Sequence, residues 1–262
     1  MHRILLLDSG VGGLSILEEV AKRLPQVHIH YIADQKFFPY GEKTEDWLKE
    51  RVLFLVESHL QAYDVELVVI ACNTASTATL DTLRAHINIP VVGVVPAIKT
   101  AAWHSKNKRI GVLATPGTVS REYLTNLIKT YAHECQVKSV GSTELVRMAE
   151  VSLQGTLPNP EQLKKIIQPF IDEECDQVVL GCTHFPLVKQ ALISIAPDID
   201  WVDSGEAIAR RVHSLLGDTL SATEQNSKIA PERVFFSSAY PLPALSQDWT
   251  SKLNLKSEHL PV

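Results

Sequence analysis

The sequence predicts an α/β protein built from two related α/β domains with mainly parallel sheets. The first observation behind this prediction is that short apolar runs alternate with segments whose apolar residues recur at helical spacing. Strands that are buried on both faces have such runs, and their alternation with amphipathic helices is typical of βαβ units. The second observation is an internal repeat at a spacing of 110 residues, which indicates that one such arrangement occurs twice.

Six apolar runs are predicted as strands, because each is short and ends at turn-forming or charged residues. They are residues 4–7, 67–71, 91–95, 110–113, 178–181 and 201–202. Three intervening helices are predicted from apolar side chains at helical spacing. Their faces consist of Leu14, Leu17, Val20, Ala21 and Leu24 in the first, Phe54, Leu55, Ser58 and Leu60 in the second, and Leu124, Leu127, Ile128 and Tyr131 in the third.

The internal repeat aligns each residue n with residue n+110 and places Cys72 on Cys182. The same offset pairs Val68 and Val69 with Val178 and Val179, Ile89 with Ile199, Val92 with Val202, and Ala97 and Ile98 with Ala207 and Ile208. This shared register predicts two domains, residues 1–95 with 207–262 and residues 96–206, related by a pseudo-twofold axis. The tail after Gly217 is expected to pack on the first domain, with residues 234–236 as an added strand.

Composition and charge exclude several classes of protein. The chain has 262 residues and a net charge of −5, whereas a nucleic-acid-binding protein would carry a basic footprint. Its apolar runs are too short to span a membrane, and Asp8 interrupts the N-terminal run before it could serve as a signal peptide. Four cysteines without a Cys-x-x-Cys pair are too sparse for a disulfide scaffold. We therefore expect a cytoplasmic protein that binds neither nucleic acid nor membrane.

Polar clusters follow four of the predicted strands, beginning at Asp8, Cys72, Thr115 and Cys182. Ligands of open parallel sheets bind beyond the carboxyl ends of the strands. We therefore expect these clusters to gather there, with the active site in the cleft between the two domains. The glycines after Asp8 lack the spacing of a nucleotide-binding fingerprint, and they are predicted to bring backbone N–H groups near a carboxylate.

Cys72 and Cys182 are predicted to carry the chemistry, because each directly precedes a predicted helix N-terminus, where a thiol's pKa is lowered. Redox pairs are usually close in sequence, and a metal held with His184 and Asp8 would need an unusually tight Cys-Thr-His spacing. General acid–base catalysis at one carbon is the third possibility. A thiol with a pKa of about 8.5 supplies both thiolate and thiol near neutrality. One cysteine would then remove a proton from one face, and the other would deliver a proton to the opposite face.

At these positions the sequence resembles the glutamate racemases of the cofactor-independent Asp/Glu racemase superfamily. The matching stretches are DSGVGGLS from Asp8, PYGEK from Pro39, ACNTAS from Ala71, GVVPAIK from Gly93, VLATPGTV from Val112, VLGCTHFPL from Val179 and VDSG from Val202. The resemblance implies an isomerase that racemises L-glutamate to D-glutamate without cofactor or metal. It also implies that the product supplies peptidoglycan synthesis and that the enzyme forms a homodimer.

The resemblance further implies roles for individual residues. Cys72 would take the α-proton of D-glutamate with help from Asp8, and Cys182 that of L-glutamate with help from His184 and Glu150. Substrate contacts are implied for Asp8, Ser9, Tyr40, Gly41, Asn73, Thr74, Thr115, Thr118, Thr183 and His184. Purely structural roles stand as alternatives: Asp8 as a cap, His184 as a satisfied core histidine, and Glu150 as a surface partner of Arg147.

Two alternative functions compete with glutamate racemisation. An aspartate racemase would share the paired-cysteine plan and differ in the substrate it accepts. A non-catalytic amino-acid-binding protein would need contacts for the carboxylate and ammonium groups but has no use for two cysteines at equivalent positions. The presence of both cysteines therefore favours an enzyme.

Overall fold

The computed structural model describes residues 2–153, 155–217, 232–238 and 253–260. The chain divides into two compact units, residues 1–94 with 205–262 and residues 95–204. Each unit contains one sheet, and every described strand pair is parallel, which confirms the predicted α/β class. Within the described ranges no helix is long and apolar enough to cross a membrane.

The elements follow one another in the alternation that the apolar pattern predicts. The first unit begins with β1 (Arg3–Asp8), α1 (Leu14–Arg23), β2 (His28–Ala33), α2 (Glu45–Ala62), β3 (Leu67–Ile70), α3 (Asn73–His86) and β4 (Val91–Gly93). The second unit contains α4 (Ile98–His104), β5 (Arg109–Ala114), α5 (Pro116–Val119), α6 (Glu122–Tyr131), β6 (Gln136–Gly141), α7 (Thr143–Ser152), α8 (Pro160–Asp172), β7 (Gln177–Gly181), α9 (Lys189–Ile195) and β8 (Asp200–Val202). The chain then returns to the first unit with α10 (Gly205–Leu216), β9 (Arg233–Ser237) and β10 (Lys256–His259).

Four strands of the first sheet, β2-β1-β3-β4, follow the same order as the four strands of the second sheet. The first sheet has the order β10-β9-β2-β1-β3-β4, and the second has the order β6-β5-β7-β8. The connection after β1 therefore runs toward one edge of the sheet, and the connection after β3 runs toward the opposite edge. The connections after β5 and β7 diverge in the same way in the second sheet. The carboxyl ends of such a strand pair form the crevice in which open α/β sheets bind ligands.

Polar side chains begin several helices by accepting the amide hydrogens that the first turn leaves unpaired. Thr44 Oγ1 accepts from the amide of Trp47 at the start of α2, at 3.4 Å. Ser142 Oγ accepts from the amide of Leu145 at the start of α7, at 3.0 Å. These caps explain why α2 and α7 begin where they do.

The predicted apolar face of α2 is partly wrong, although the helix itself is confirmed. Phe54 is 48% exposed, whereas the buried side chains of this helix are Leu48, Val52, Leu55, Val56 and His59. The sequence pattern misled because His59 is buried against aromatic rings, a role that its polar side chain does not indicate.

The structure extends the first sheet beyond the strands that the sequence predicts. Residues 234–236 lie in β9, which pairs with β2 and so confirms the added strand of the C-terminal tail. The strands β2, β6 and β10 were not predicted. Strand β2 carries two histidines within its apolar pattern, and β6 is a half-exposed edge strand without a continuous apolar run. Residues 218–231, 239–252, 261 and 262 of the predicted tail lie outside the described residues.

Two buried histidines occupy the core beside β2. His30 Nδ1 lies 2.8 Å from His59 Nε2, and the rings of Tyr63 and Phe236 surround the pair. Burial, then the neighbouring His30 and Arg3, lower the pKa of His59 to about 3. Burial and Arg3 also lower the pKa of His30, with Glu232 acting in the opposite direction. Both rings are therefore neutral in the folded protein near pH 7.

We expect acid to destabilise the first unit through His59. The unfolded chain binds a proton on this residue below a pH of about 6.5, whereas the folded chain does so only near pH 3. The free energy of unfolding therefore falls as the pH drops below the unfolded value, by about 1.4 kcal/mol per pH unit for this one residue. Urea unfolding of the wild type and of His59→Phe at pH values of about 7.5 and 5 should show a loss about 2 kcal/mol larger in the wild type. Equal losses would contradict the assignment.

Candidate active site

Each predicted catalytic cysteine lies directly beyond the second of the two central strands of its sheet. The register pairs Leu7 with Ile70 in the first sheet and Leu113 with Leu180 in the second. Extended two residues past these pairs, beyond the strand ends, the same register places Ser9 across from Cys72 and Thr115 across from Cys182. Because Ile70 and Leu180 are also separated by the repeat spacing, each unit places a cysteine opposite a hydroxyl residue at the same register position.

The Cys72 cluster consists of Asp8, Ser9, Cys72 and Asn73, all of which are buried. Ser9 Oγ lies 3.9 Å from Cys72 Sγ and 3.4 Å from Asp8 Oδ1. The serine hydroxyl can donate to the carboxylate while the thiol donates to the serine, or it can donate to the thiolate once the thiol is ionised. Asp8 is thus linked to Cys72 through Ser9.

The glycine-rich turn after β1 supports this cluster by close packing. The amide of Gly10 donates to Asp8 Oδ1 at 2.8 Å, so the carboxylate that the turn binds is the chain's own. The Tyr31 hydroxyl donates to the carbonyl of Gly10, also at 2.8 Å. A Cβ atom at Gly13 would lie 2.7 Å from the Tyr31 hydroxyl and 2.9 Å from Ala71 Cβ, so any larger residue would displace the turn from the strand ends.

Helix α3 begins immediately after Cys72, as predicted. Cys72 is its N-cap with extended backbone angles, and the amide of Ser76 donates to the carbonyl of Cys72 at 2.8 Å. A helix N-terminus favours a nearby anion, whether a thiolate or a bound carboxylate. Asn73 Nδ2 is buried and has no hydrogen-bond partner within the described part of the chain. An unpaired buried donor is costly, so this amide group is suited to a ligand oxygen.

The hydroxyl of Tyr40, a predicted substrate contact, is bound within the protein. Tyr40 is 1% exposed, and its hydroxyl donates to Asp34 Oδ2 at 2.6 Å. Burial, and then the charge and hydrogen bond of Asp34, raise the pKa of Tyr40 well above its ordinary value. Because this hydroxyl is bound to Asp34, the backbone of Tyr40 and Gly41 is the part of the segment that is suited to a ligand.

The Cys182 cluster consists of Cys182, His184 and Glu150. Cys182 Sγ lies 3.8 Å from His184 Nδ1, and His184 Nε2 lies 2.6 Å from Glu150 Oε2. Burial lowers the pKa of His184, but its hydrogen bonds to Cys182 and Glu150 and their negative charges outweigh burial and raise the pKa well above its ordinary value. Cys182, His184 and Glu150 therefore form a chain of contacts, as the resemblance implied. Glu150 reaches His184 because α7 packs on the 3₁₀-helix Phe185–Val188.

The expectation that Cys182 directly precedes an α-helix is wrong. A turn and the 3₁₀-helix Phe185–Val188 follow Cys182, and α9 begins only at Lys189. An α-helix with Cys182 as its N-cap would need an amide donor four residues later, where Ser76 supplies one for Cys72. That position is Pro186, which has no N–H group. Cys72 therefore lies at an α-helix N-terminus, whereas Cys182 has a histidine beside its thiol.

Three of the four predicted threonines lie near the carboxyl ends of β5 and β7, whereas Thr74 is buried in the first turn of α3. Thr115 caps α5, with its Oγ1 3.1 Å from the amide of Thr118 and 3.0 Å from Thr118 Oγ1. Thr118 is fully buried, whereas Thr115 and Thr183 are 5% and 3% exposed. Thr115 and Thr183, which flank Cys182 on adjacent strand ends, are thus better placed than Thr118 to meet a ligand.

The remaining two cysteines have different surroundings. Cys135 and Cys175 are free thiols outside both clusters, half-buried and buried respectively. Burial, and then Glu173 and Asp176, raise the pKa of Cys175 to about 11, which keeps this thiol protonated near neutral pH. Among the described residues, no three or more His, Cys, Asp or Glu side chains form a group that could hold a metal ion.

Sequence reasoning missed Asp34 and Arg51, which lie behind the Tyr40 segment. Asp34 is the first residue beyond β2, so the argument that indicated Asp8 would have indicated Asp34 if β2 had been predicted as a strand. Arg51 lies on α2 among several charged residues, and its spacing carries no signal that distinguishes it. Only the fold reveals that its side chain reaches Asp34.

Comparison with known sequences identifies the wider group. A family model described as Asp/Glu/Hydantoin racemase matches residues 12–212. The glutamate racemase of Vibrio vulnificus (strain CMCP6) is 49% identical over 233 residues, which cover 88% of this chain and 86% of that protein. The matched family region contains both cysteines and the residues of the Cys182 cluster.

Solved structures agree with this grouping. The crystal structure of Escherichia coli glutamate racemase in complex with L-glutamate and the activator UDP-MurNAc-Ala has a TM-score of 0.86 and 41% identity, covering 99% of this chain and 98% of that one. The glutamate racemase of Francisella tularensis in complex with D-glutamate has a TM-score of 0.79 and 25% identity, covering 98% and 97%. On the strength of the family match and these relatives, this chain belongs to the Asp/Glu/hydantoin racemase family.

Proposed function

We propose that this chain racemises L-glutamate to D-glutamate, with Cys72 and Cys182 each serving one face of the α-carbon. One observation carries the proposal: two buried thiols occupy the same register position in two sheets of like order, each across from a hydroxyl residue. A protein that only binds an amino acid gains nothing from this repetition. The identity of 49% with a glutamate racemase supports glutamate as the substrate.

The thiols perform general acid–base catalysis in this proposal. A thiolate on one face removes the α-proton, and the thiol on the other face donates its proton to the resulting carbanion. Configuration is inverted, and the reverse reaction exchanges the two roles. A thiol is suited to both because its reference pKa of about 8.5 is close to neutrality.

The two thiolates are stabilised by different groups. Cys182 has His184, whose raised pKa favours an imidazolium beside the sulfur, and Glu150 holds the ring by its other nitrogen. Cys72 has the N-terminus of α3 and the hydroxyl of Ser9, whose single hydrogen turns from Asp8 to the sulfur when the thiol is ionised. We assign Asp8, His184 and Glu150 to these supporting roles in the proton transfers.

Substrate recognition in this proposal uses hydrogen-bond donors that lie near the carboxyl ends of the strands. The unpartnered Asn73 Nδ2 and the N-terminus of α3 suit a carboxylate oxygen. We propose that the substrate contacts come from Asp8, Ser9, Tyr40, Gly41, Asn73, Thr74, Thr115, Thr118, Thr183 and His184. Tyr40 and Gly41 contribute their backbone, since the Tyr40 hydroxyl is bound to Asp34.

We propose that the reaction needs neither pyridoxal phosphate nor a metal ion, because the two thiols already supply the base and the acid. The chain is further proposed to act in the cytoplasm as a homodimer and to supply D-glutamate for peptidoglycan. The domain division at residues 95 and 207, within two residues of the structural units, is part of the same proposal.

Racemisation by the protein alone tests this function. Purified protein dialysed against a chelator should abolish the circular dichroism of L-glutamate and should leave L-aspartate unchanged over the same period. Preferential loss of the aspartate signal would identify an aspartate racemase instead. Activity that vanishes on chelation and returns with zinc would contradict the cofactor-free mechanism.

Serine substitutions test whether the two thiols act separately. Cys72→Ser and Cys182→Ser should each lower kcat by about 10²–10⁴-fold, because an alcohol is too weak an acid to replace the lost partner. Each variant keeps one thiolate that can remove the α-proton of a 3-chloroglutamate. The electron pair then forms the Cα–Cβ double bond and expels chloride, and hydrolysis of the enamine gives 2-oxoglutarate and ammonia.

The two variants should eliminate from opposite enantiomers, Cys72→Ser from the L-form and Cys182→Ser from the D-form. Cys135→Ser is the matched control, since this half-buried thiol lies outside both clusters, and its racemase activity should equal that of the wild type. A Cys72 or Cys182 variant that racemises glutamate at the wild-type rate would show that the cysteine concerned is structural.

A further inference from the structure

A buried charge network lies behind the Tyr40–Gly41 segment. Asp34 is fully buried and accepts four hydrogen bonds. Arg51 donates two of them, from Nε to Oδ2 at 2.9 Å and from Nη2 to Oδ1 at 2.8 Å, which is a bidentate pair. The hydroxyls of Tyr40 and Ser238 donate the others, at 2.6 and 2.7 Å.

This network connects three parts of the first unit. Arg51 comes from α2, Asp34 directly follows β2, and Ser238 directly follows β9. The Arg51 guanidinium also lies over the ring of Phe37, 4.7 Å from its centroid. Phe37 and Tyr40 belong to the two 3₁₀-helices of the segment after β2, so Arg51 contacts or supports both of them.

The network also bears on the electrostatics of the Cys72 cluster. The 3₁₀-helix Tyr40–Glu42 packs against α3, the helix that Cys72 begins. The charge of Cys72 contributes to the raised pKa of Tyr40, after burial and Asp34, and Arg51 acts in the opposite direction. The tyrosine therefore lies within the electric field of both anions. Without Arg51, the carboxylate of Asp34 would be a buried and uncompensated charge behind the 3₁₀-helix that packs against α3.

We propose that Arg51 is a positioning residue of the reaction: through Asp34 it holds Tyr40 and Gly41 against α3, and its charge cancels that of Asp34. The role of Tyr40 and Gly41 in binding rests on the proposed function, whereas the charge compensation does not. Arg51 itself touches neither thiol. It acts through a carboxylate that sequence patterns do not indicate.

Alkylation of Cys72 separates this role from simple stabilisation. Iodoacetamide labelling as a function of pH, read for each thiol by peptide mass spectrometry, gives the apparent pKa of Cys72 with Cys182 as an internal reference. Arg51→Met should raise the apparent pKa of Cys72 by on the order of one unit, because the uncompensated charge of Asp34 has an effect of that size at the dielectric constant of a protein. Labelling of Cys72 at neutral pH should then be about tenfold slower. Cys182 labelling should not change.

Further variants complete the test. Asp34→Asn combined with Arg51→Met removes both charges and should return Cys72 labelling to the wild-type profile, while KM for glutamate stays raised several-fold because the bidentate pair is lost. Arg51→Lys keeps the charge and should raise KM without changing the labelling profile. Arg51→Gln, which also lacks the charge, replaces Arg51→Met in the labelling test if Arg51→Met does not fold. Arg210→Met is the matched control, because Arg210 lies exposed on α10 of the same unit and pairs with Glu206 at 2.6 Å.

The labelling and the activity measurements test separate parts of the proposal. A folded Arg51→Met protein with the wild-type labelling profile of Cys72 would overturn the charge compensation. An unchanged KM in both Arg51→Lys and the double variant would overturn the positioning. A chain that racemises no glutamate would refute the proposed function, and the labelling of Cys72 would still decide the effect of Arg51.

Discussion

The parallel pairing of the two central strands in each sheet determines where the reactive side chains lie. Because β3 pairs with β1 and β7 pairs with β5 in corresponding register, each cysteine emerges across from a small hydroxyl residue. Side chains alternate between the two faces of a strand, so a slip by one residue would turn either cysteine away from its partner. The buried apolar strands that fix this register therefore also position the two candidate catalytic cysteines. The close approach of Gly13 to Ala71 keeps the turn after β1 near the strand ends.

The two clusters share a register position but differ in the groups that lie beside the sulfur. Cys72 begins an α-helix because Ser76 supplies the first amide bond, whereas the equivalent Pro186 cannot do so. The second unit has His184 and Glu150 instead, and the histidine brings a positive charge that the first cluster lacks. The two cysteines thus have different neighbours at matching register positions, a helix N-terminus for Cys72 and a histidine for Cys182.

Sequence patterns predicted the parts of the fold that depend on local, repetitive signals. The α/β class, the six apolar strands and the added strand at residues 234–236 all follow from apolar periodicity. Strand β2 was missed because its buried histidines look polar. Asp34, which directly follows β2, and its pairing with Arg51 were missed for the same reason. The contact between Glu150 and His184 was implied by resemblance, since no periodicity relates residues 34 positions apart. Long-range polar contacts depend on the assembled fold, which local patterns do not encode.

Deuterium labelling during turnover tests most directly whether one thiol serves each face. When the reaction is run in D2O from L-glutamate, the thiol that protonates the carbanion carries deuterium from the solvent, while the thiolate that removed the α-proton lies on the other face. The account predicts that D-glutamate formed in the first turnovers carries deuterium at the α-carbon and that unreacted L-glutamate stays protiated. Early and equal labelling of recovered substrate and product would show a single shared base and would contradict the account.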